Sequence, residues 1–201
     1  MSLGRELESL QARYRKIFLE CSCQIQEALD NGQSISQIET QYKKVYANAI
    51  SKMAKSRSLC VCTGCGVCCN FAVSEFSPEV LKQKAENGDN YANQFLQTFV
   101  PYTSIDEARK IYPEYVDFLQ SNTDGEFYIY HCPKVTKDNR CPDYDNRPQI
   151  CRDFPDNPIA FLPPKCSFND WKKDSEFEYL RLNAISEIIR YYSNRLENPL
   201  K

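Results

Sequence analysis

The chain has 201 residues, a formal net charge of −2 at pH 7, and 42% hydrophobic with 12% aromatic residues. A chain of this size and composition can bury a core unaided, so neither disulfides nor metal are forced on it by smallness. Near-balanced charge argues against a general nucleic-acid or anionic-membrane binder, and the sequence contains no run of about 18 apolar residues that would span a bilayer.

The N-terminal stretch MSLGRELESLQARY mixes both signs of charge early and lacks the apolar segment of a signal peptide. The expectation is therefore a cytoplasmic protein, or one in a comparably reducing compartment. Its partner is a protein of unknown identity, if it has one, with no nucleic acid and no membrane. Leu3, Leu7, Leu10, Tyr14, Ile17, Phe18 and Cys21 recur at three- and four-residue steps, the stripe of an amphipathic helix, which Asn31-Gly32 stops. Ser36 and Glu39 have capping-box spacing. A second stripe follows through Ile38, Tyr42, Val45, Tyr46, Ala49, Ile50 and Met53. The two helices read as an antiparallel hairpin over residues 1–58. Lys43, Lys44, Lys52, Lys55 and Arg57, with no acid among them, read as a solvated helix face rather than a phosphate site.

Residues 59–168 form a Cys-rich domain in this reading. Ser77-Pro78 supplies an N-cap and first helical position, opening a helix toward Asn87-Gly88. Residues 91–120 carry a weaker helical signal broken near Pro101 and Pro113. Phe127–Tyr130, after Asp124-Gly125, is the clearest strand, and the recurring prolines from Cys132 to Pro164 argue for irregular chain. Leu180, Leu182, Ile185, Ile188, Ile189 and Tyr192 mark a closing helix within residues 169–201, expected to pack on the Cys-rich domain. The fold class predicted is mainly α, with a small irregular Cys-rich metal-binding core and a short β hairpin.

Eleven cysteines, an odd number with two adjacent, suit a disulfide framework poorly. In a reducing compartment, clustered thiols bind metal or do redox work more often than they cross-link. CVCTGCGVCC places Cys62, Cys65, Cys68 and Cys69 in a C-x2-C-x2-C-C array. Two intervening residues let a tight turn bring both sulfurs to one metal, Gly64 and Gly66 permit the positive φ of such turns, and backbone amides there can donate to sulfur. Downstream, Cys132, Cys141, Cys151 and Cys166 stand singly, two of them in Cys-Pro steps. Zinc sites usually pair one C-x2-C knuckle with a second, whereas a C-x2-C-x2-C triplet completed by a Cys-Pro resembles bacterial ferredoxin ligation. The metal set is thus Cys62, Cys65, Cys68, Cys69, Cys132, Cys141, Cys151 and Cys166, holding an iron–sulfur cluster of the 4Fe–4S type, with zinc as the alternative. Here the Cys-Pro steps lie some sixty residues from the triplet, unlike in ferredoxins.

Neighbouring side chains on a helix stand about 100° apart, so Cys68 and Cys69 do not readily share one small centre. One of them is left for a second centre or a redox role. The eight candidate donors allow one four-thiolate site plus spares, or two sites. Cys60 is the expected bystander, Cys21 core filling, and Cys23 unassigned. Arg147 and Arg152, in CPDYDNRPQICRDFP, could offset thiolate charge and donate hydrogen bonds, or simply pair with Asp143, Asp145, Asp153 or Asp156. His131 is the only histidine, which makes a His-based hydrolytic zinc site a poor reading, and the 13 tyrosines read as packing residues.

CTGCGVCC followed by CPDYDNRPQICRDFP resembles the CxxCxxCC, or YkgJ-type, family of zinc- or iron-chelating cysteine-cluster proteins. The resemblance covers residues 60–166 and rests on Cys62, Cys65, Cys68 and Cys69 in the first motif. In the second it rests on Cys141, Arg147, Pro148, Cys151, Arg152, Phe154 and Pro155. It implies a metal-binding module. Flagellin lysine methylases carry a similar array, which implies a methyl-transfer enzyme as a third reading. The chain has no G-x-G-x-x-G loop for an adenosyl cofactor, and no catalytic residue is assigned. Three readings follow: an iron–sulfur module in electron transfer or cluster handling, a structural zinc module for protein interaction, and that enzyme.

Overall fold

A computed structural model of the chain describes residues 3–122, 126–160, 162 and 166–197. In chain order the elements are α1 (Leu3–Asp30), α2 (Ile35–Ser58), α3 (Val67–Asn70), β1 (Ala72–Ser74), α4 (Pro78–Glu86), α5 (Asn90–Thr98), β2 (Val100–Pro101), α6 (Ile105–Ile111), α7 (Pro113–Asn122), β3 (Tyr128–His131), α8 (Gln149–Asp153) and α9 (Asn169–Glu197). The protein is mainly helical with a minor sheet. None of the described helices is long and apolar enough to cross a membrane.

The chain divides into two compact units. The first comprises Met1–Val61, Asn157–Ala160 and Ser167–Lys201, and is built from the three long helices. Ile17, Cys21 and Ile25 of α1, Ile38 of α2, and Leu180, Ala184, Ile188 and Ile189 of α9 form its buried core. The closing helix, expected to pack on the Cys-rich segment, thus builds its core with the two N-terminal helices, because its 3.6-residue apolar stripe matches theirs. Two polar groups pin the register: the buried Trp171 indole donates to the Met53 carbonyl (3.0 Å) and the half-buried Tyr42 hydroxyl to that of Leu182 (2.8 Å). The α1–α2 turn falls at Asn31-Gly32, as the sequence indicates, but α2 starts earlier than Ser36. Ser34 is the N-cap, its hydroxyl accepting from the Gln37 amide while the Gln37 side chain accepts from the Ser34 amide. A glutamine three residues on completes the box as well as a glutamate does. Val45 and Tyr46, placed on the apolar stripe, remain exposed.

The second unit, Cys62–Asp156 and Phe161–Cys166, holds the short elements. Ser77 caps α4 through its hydroxyl, with Pro78 at the first helical position. Prolines break the chain after α5 and before α7 as expected. In place of a hairpin there is a three-stranded antiparallel sheet of order β1-β3-β2. Strand β3 is central because only its edges on both sides find extended partners, and these come from chain far upstream rather than from an adjacent arm. Asp124-Gly125, read as the turn before it, lies outside the described residues. On one side of the unit Tyr130 is fully buried with Leu81, Ala92, Phe95 and Phe99, its ring edge-on to Phe95 at 4.9 Å. On the other, Phe71 and Ile129 pack with Ala108 and Val116, flanked by Tyr102, Tyr112 and Tyr115.

Ile188→Ala should destabilise the three-helix unit by about 2–5 kcal/mol, because it empties a closed apolar site. Urea unfolding followed by helical circular dichroism measures it, and a change below about 0.5 kcal/mol would contradict this core.

Candidate metal centre

Strand pairing brings the two cysteine motifs together. β1 begins three residues after Cys69, and β3 ends immediately before Cys132. Their antiparallel register, Ala72↔Tyr130, Val73↔Ile129 and Ser74↔Tyr128, runs the two chain ends toward the same place. One further hydrogen bond extends the ladder: the Cys132 amide donates to the Cys69 carbonyl at 2.6 Å. Residues separated by some sixty positions in sequence are thereby adjacent in space.

The first motif is a loop followed by the single turn of α3, whose amides at Asn70 and Phe71 return to the carbonyls of Gly66 and Val67. Inside the loop the Gly64 amide donates to Cys62 Sγ at 3.4 Å, the backbone-to-sulfur contact that favours a thiolate. Gly66 caps α3 at φ +75°, a left-handed conformation that costs an L side chain about 1–2 kcal/mol. A side chain is also excluded there sterically, since a Cβ on Gly66 would stand 2.4 Å from Asn139 Cβ.

Asn139 comes from the turn that leads into Cys141 and itself adopts a positive φ of 62°. Thr136 holds that turn, its hydroxyl accepting from the Arg140 amide and its own amide donating to the Arg140 carbonyl. Asn139 Oδ1 accepts from the Asn70 side-chain amide (3.2 Å), which also donates to the Gly66 carbonyl (2.9 Å). Asn70 and Asn139 therefore clip the two motifs together. Sequence reasoning passed over both. The available signal was Asp138-Asn139, a turn-forming pair one residue short of Cys141.

In the second motif Arg147 lies over the Tyr144 ring at 3.6 Å and donates to the Tyr144 carbonyl, which fixes its guanidinium. Its charge reaches both Cys69 and Cys151. Arg152 does different work: its guanidinium binds the carbonyls of Arg147 (2.7 Å) and Asp145 (3.3 Å) and so braces the loop. α8 carries Cys151 toward the Tyr130 side, where Cys132 and Cys151 pack against the same buried cluster.

The thiols feel one another. Cys68 is raised well above the ordinary thiol range, first by its hydrogen bond with Cys69, then by burial and by the charges of Cys69, Cys62 and Cys65. Cys69 is lowered by the same hydrogen bond and by Arg147, against the opposing effect of burial. Cys151 is pushed up to about 11, first by burial and then by Cys69 and Cys132, with Cys141 adding and Arg147 opposing. Cys69 thus links two groups of thiols, Cys62, Cys65 and Cys68 on the first motif and Cys132, Cys141 and Cys151 downstream. None of the eleven cysteines is in a disulfide.

Cys166, the eighth, is a half-buried thiol of the same unit. Cys60 belongs to the helical unit, its thiol on the Ser56 carbonyl at 3.7 Å, while Cys21 is in the helical core and Cys23 is exposed. The His131 ring lies against Tyr102 at 4.6 Å. Among the described residues no three Cys, His, Asp or Glu side chains already stand close enough to hold a metal ion. The donor set fits a thiophilic metal by its chemistry: soft donors, an amide on sulfur, a neighbouring cation and no competing disulfide.

Comparison with known families gives one match. The model of the CxxCxxCC family, a putative zinc- or iron-chelating domain, matches residues 61–179, more than half of the chain. No curated protein and no solved structure matches significantly.

Gly66→Ala should lower both metal retention and stability, the latter by about 1–3 kcal/mol. Asn139→Gly in the same chain should recover the steric part of the loss and leave the φ strain, a coupling that a double-mutant cycle measures. In metal-free reduced protein near pH 7.5, iodoacetamide should label Cys69 before Cys151. The lowered group carries the larger thiolate fraction there, while Cys151 stays protonated until the pH approaches about 11. Mass spectrometry of tryptic fragments gives the order, and faster labelling of Cys151 would contradict these environments.

Proposed function

Because the chain belongs to the CxxCxxCC family of zinc- or iron-chelating domains, we propose that it holds an iron–sulfur cluster of the 4Fe–4S type and serves in electron transfer or cluster handling. The donors are drawn from Cys62, Cys65, Cys68, Cys69, Cys132, Cys141, Cys151 and Cys166. The observation that carries the reading is that the strand pair joins Cys69 to Cys132, with Cys151 on the same buried cluster as Cys132 and the Arg147 charge felt by Cys69 and Cys151. The C-x2-C-x2-C triplet and the remote Cys-Pro steps favour a cluster over a single zinc, which more often takes two short cysteine pairs.

Each residue has a task in this arrangement. The Gly64 amide on Cys62 Sγ stabilises thiolate charge, which would shift the potential of a cluster upward. Arg147 offsets negative charge at Cys69 and Cys151, held in place by the face of Tyr144. Phe71, Tyr102, Tyr112 and Tyr115 pack together with Val67, the first residue of α3, and so anchor the helix that carries Cys68 and Cys69. A bound cluster would supply reversible one-electron chemistry.

Anaerobic purification followed by iron, acid-labile sulfide and zinc analysis tests the reading. Brown protein with iron and sulfide in equal amounts is expected. Colourless protein carrying stoichiometric zinc and neither iron nor sulfide would replace it with a structural zinc module. Cys65→Ser and Cys151→Ser should each lower metal content and melting temperature together, since metal binding contributes directly to folding of this turn-rich unit. Full metal content in both variants would overturn the donor set.

A further inference from the structure

Resting on the metal-binding reading above for its consequence but not for its geometry, we propose that residues 133–140 form a strap across the first cysteine loop and that Asn139 is its latch. The latch sets how quickly the loop around Cys65 opens to solvent and to the metal it binds.

The strap links Cys132 to Cys141, and it is built differently from the rest of its unit. At its centre is a closed turn. The Asn139 amide donates to the Thr136 carbonyl at 2.9 Å, and Thr136 bonds to Arg140 through both its backbone and its hydroxyl. Arg140 also pairs with Asp138 inside the same turn, at 3.2 Å. Among the described residues, no part of the strap belongs to a buried apolar cluster, and Pro133, Lys134 and residues 137–140 are exposed. It starts at one Cys-Pro step and ends before another, where the prolines have no amide to bond. The turn thus keeps its own shape while free to move as a piece.

Asn139 seats it on the loop. Its Oδ1 accepts from the Asn70 side-chain amide at 3.2 Å. Its side chain fills the space over Gly66, where an added Cβ would stand 2.4 Å from its own, and its carbonyl lies 3.9 Å from the same position on Gly64. Gly64 and Gly66 flank Cys65, so the strap rests on backbone at either side of that residue. Position 139 meets two conditions at once. It adopts a φ of 62°, which glycine, asparagine and aspartate reach at least cost, and it presents an oxygen acceptor, which glycine lacks. For the turn alone glycine would serve; the acceptor is what joins the strap to α3.

A water-exposed hydrogen bond with no apolar burial behind it is a weak tie, favouring the closed arrangement by a factor of about two to ten. Such a segment opens locally, while the sheet and its clusters stay folded. Opening uncovers the backbone around Cys65 and draws the chain before Cys141 away from the loop.

Rates test this. In the metal-free, reduced full chain, iodoacetamide labelling of Cys65 is followed by mass spectrometry, with Cys151 as internal reference. Asn139→Gly keeps the left-handed turn and removes the acceptor, and Asn70→Asp keeps the shape and removes the donor. Each should speed labelling of Cys65 about two- to tenfold at wild-type circular dichroism. Asn139→Asp, which keeps an acceptor, should return the rate to wild type or below. Zinc uptake by the metal-free chain and zinc release to a chromogenic chelator should both quicken in the first two variants, whereas a contact that only stabilises the bound form would quicken release alone. Unchanged labelling of Cys65 in Asn139→Gly and Asn70→Asp, or equal acceleration in Asn139→Asp and Asn139→Gly, overturns the latch. The expected labelling pattern in a chain that holds no metal after zinc or iron–sulfur reconstitution overturns the metal-binding reading and leaves the latch standing.

Discussion

One hydrogen bond at the end of a strand pair, from the Cys132 amide to the Cys69 carbonyl, fixes where the cysteines of this protein can meet. The three-residue ladder behind it is short, but it is locked from both faces. Tyr130 is buried on one side against Phe95 and Leu81, and Ile129 on the other with Phe71 and Val116. The alternating side chains of β3 thus serve two apolar clusters at once. Closing a loop of this length costs conformational entropy that grows only slowly with its length. The sheet and its two clusters offset that cost with apolar burial that needs no metal.

Charge sorts what the backbone has brought together. Several thiols in a half-buried space do not ionise equally: Cys69 is lowered by its hydrogen bond with Cys68 and by the Arg147 guanidinium, whereas that same hydrogen bond raises Cys68 and burial raises Cys151. Arg147 can act in this way because Tyr144 supports it and Arg152 braces its carbonyl. The two arginines of the second motif, similar in sequence, therefore divide into one that faces sulfur and one that holds the loop.

The helical unit obeys a different logic. Its core is a conventional meeting of three apolar stripes, with polar anchors at the buried Trp171 and the half-buried Tyr42. Cys21, the one cysteine committed to that core, is a small hydrophobe there, and burial raises it as expected of an inert thiol.

Much of this was written in local pattern. The three long helices follow from apolar residues at three- and four-residue spacing, the α4 start from Ser77-Pro78, and the metal-chelating family from C-x2-C-x2-C-C with its second motif, because each signal lies within a few consecutive residues. Pairings between distant segments carry no such signal. That β3 finds β1 and β2 rather than a hairpin arm, that α9 closes on α1 and α2, and that Asn139 fills the space over Gly66 were decided by which surfaces fit once the chain had folded. Sequence spacing supplied the thiols and the kind of metal chemistry they suit; tertiary structure alone determined which sulfurs are neighbours, since neighbourhood across sixty residues is set by strand register and core packing.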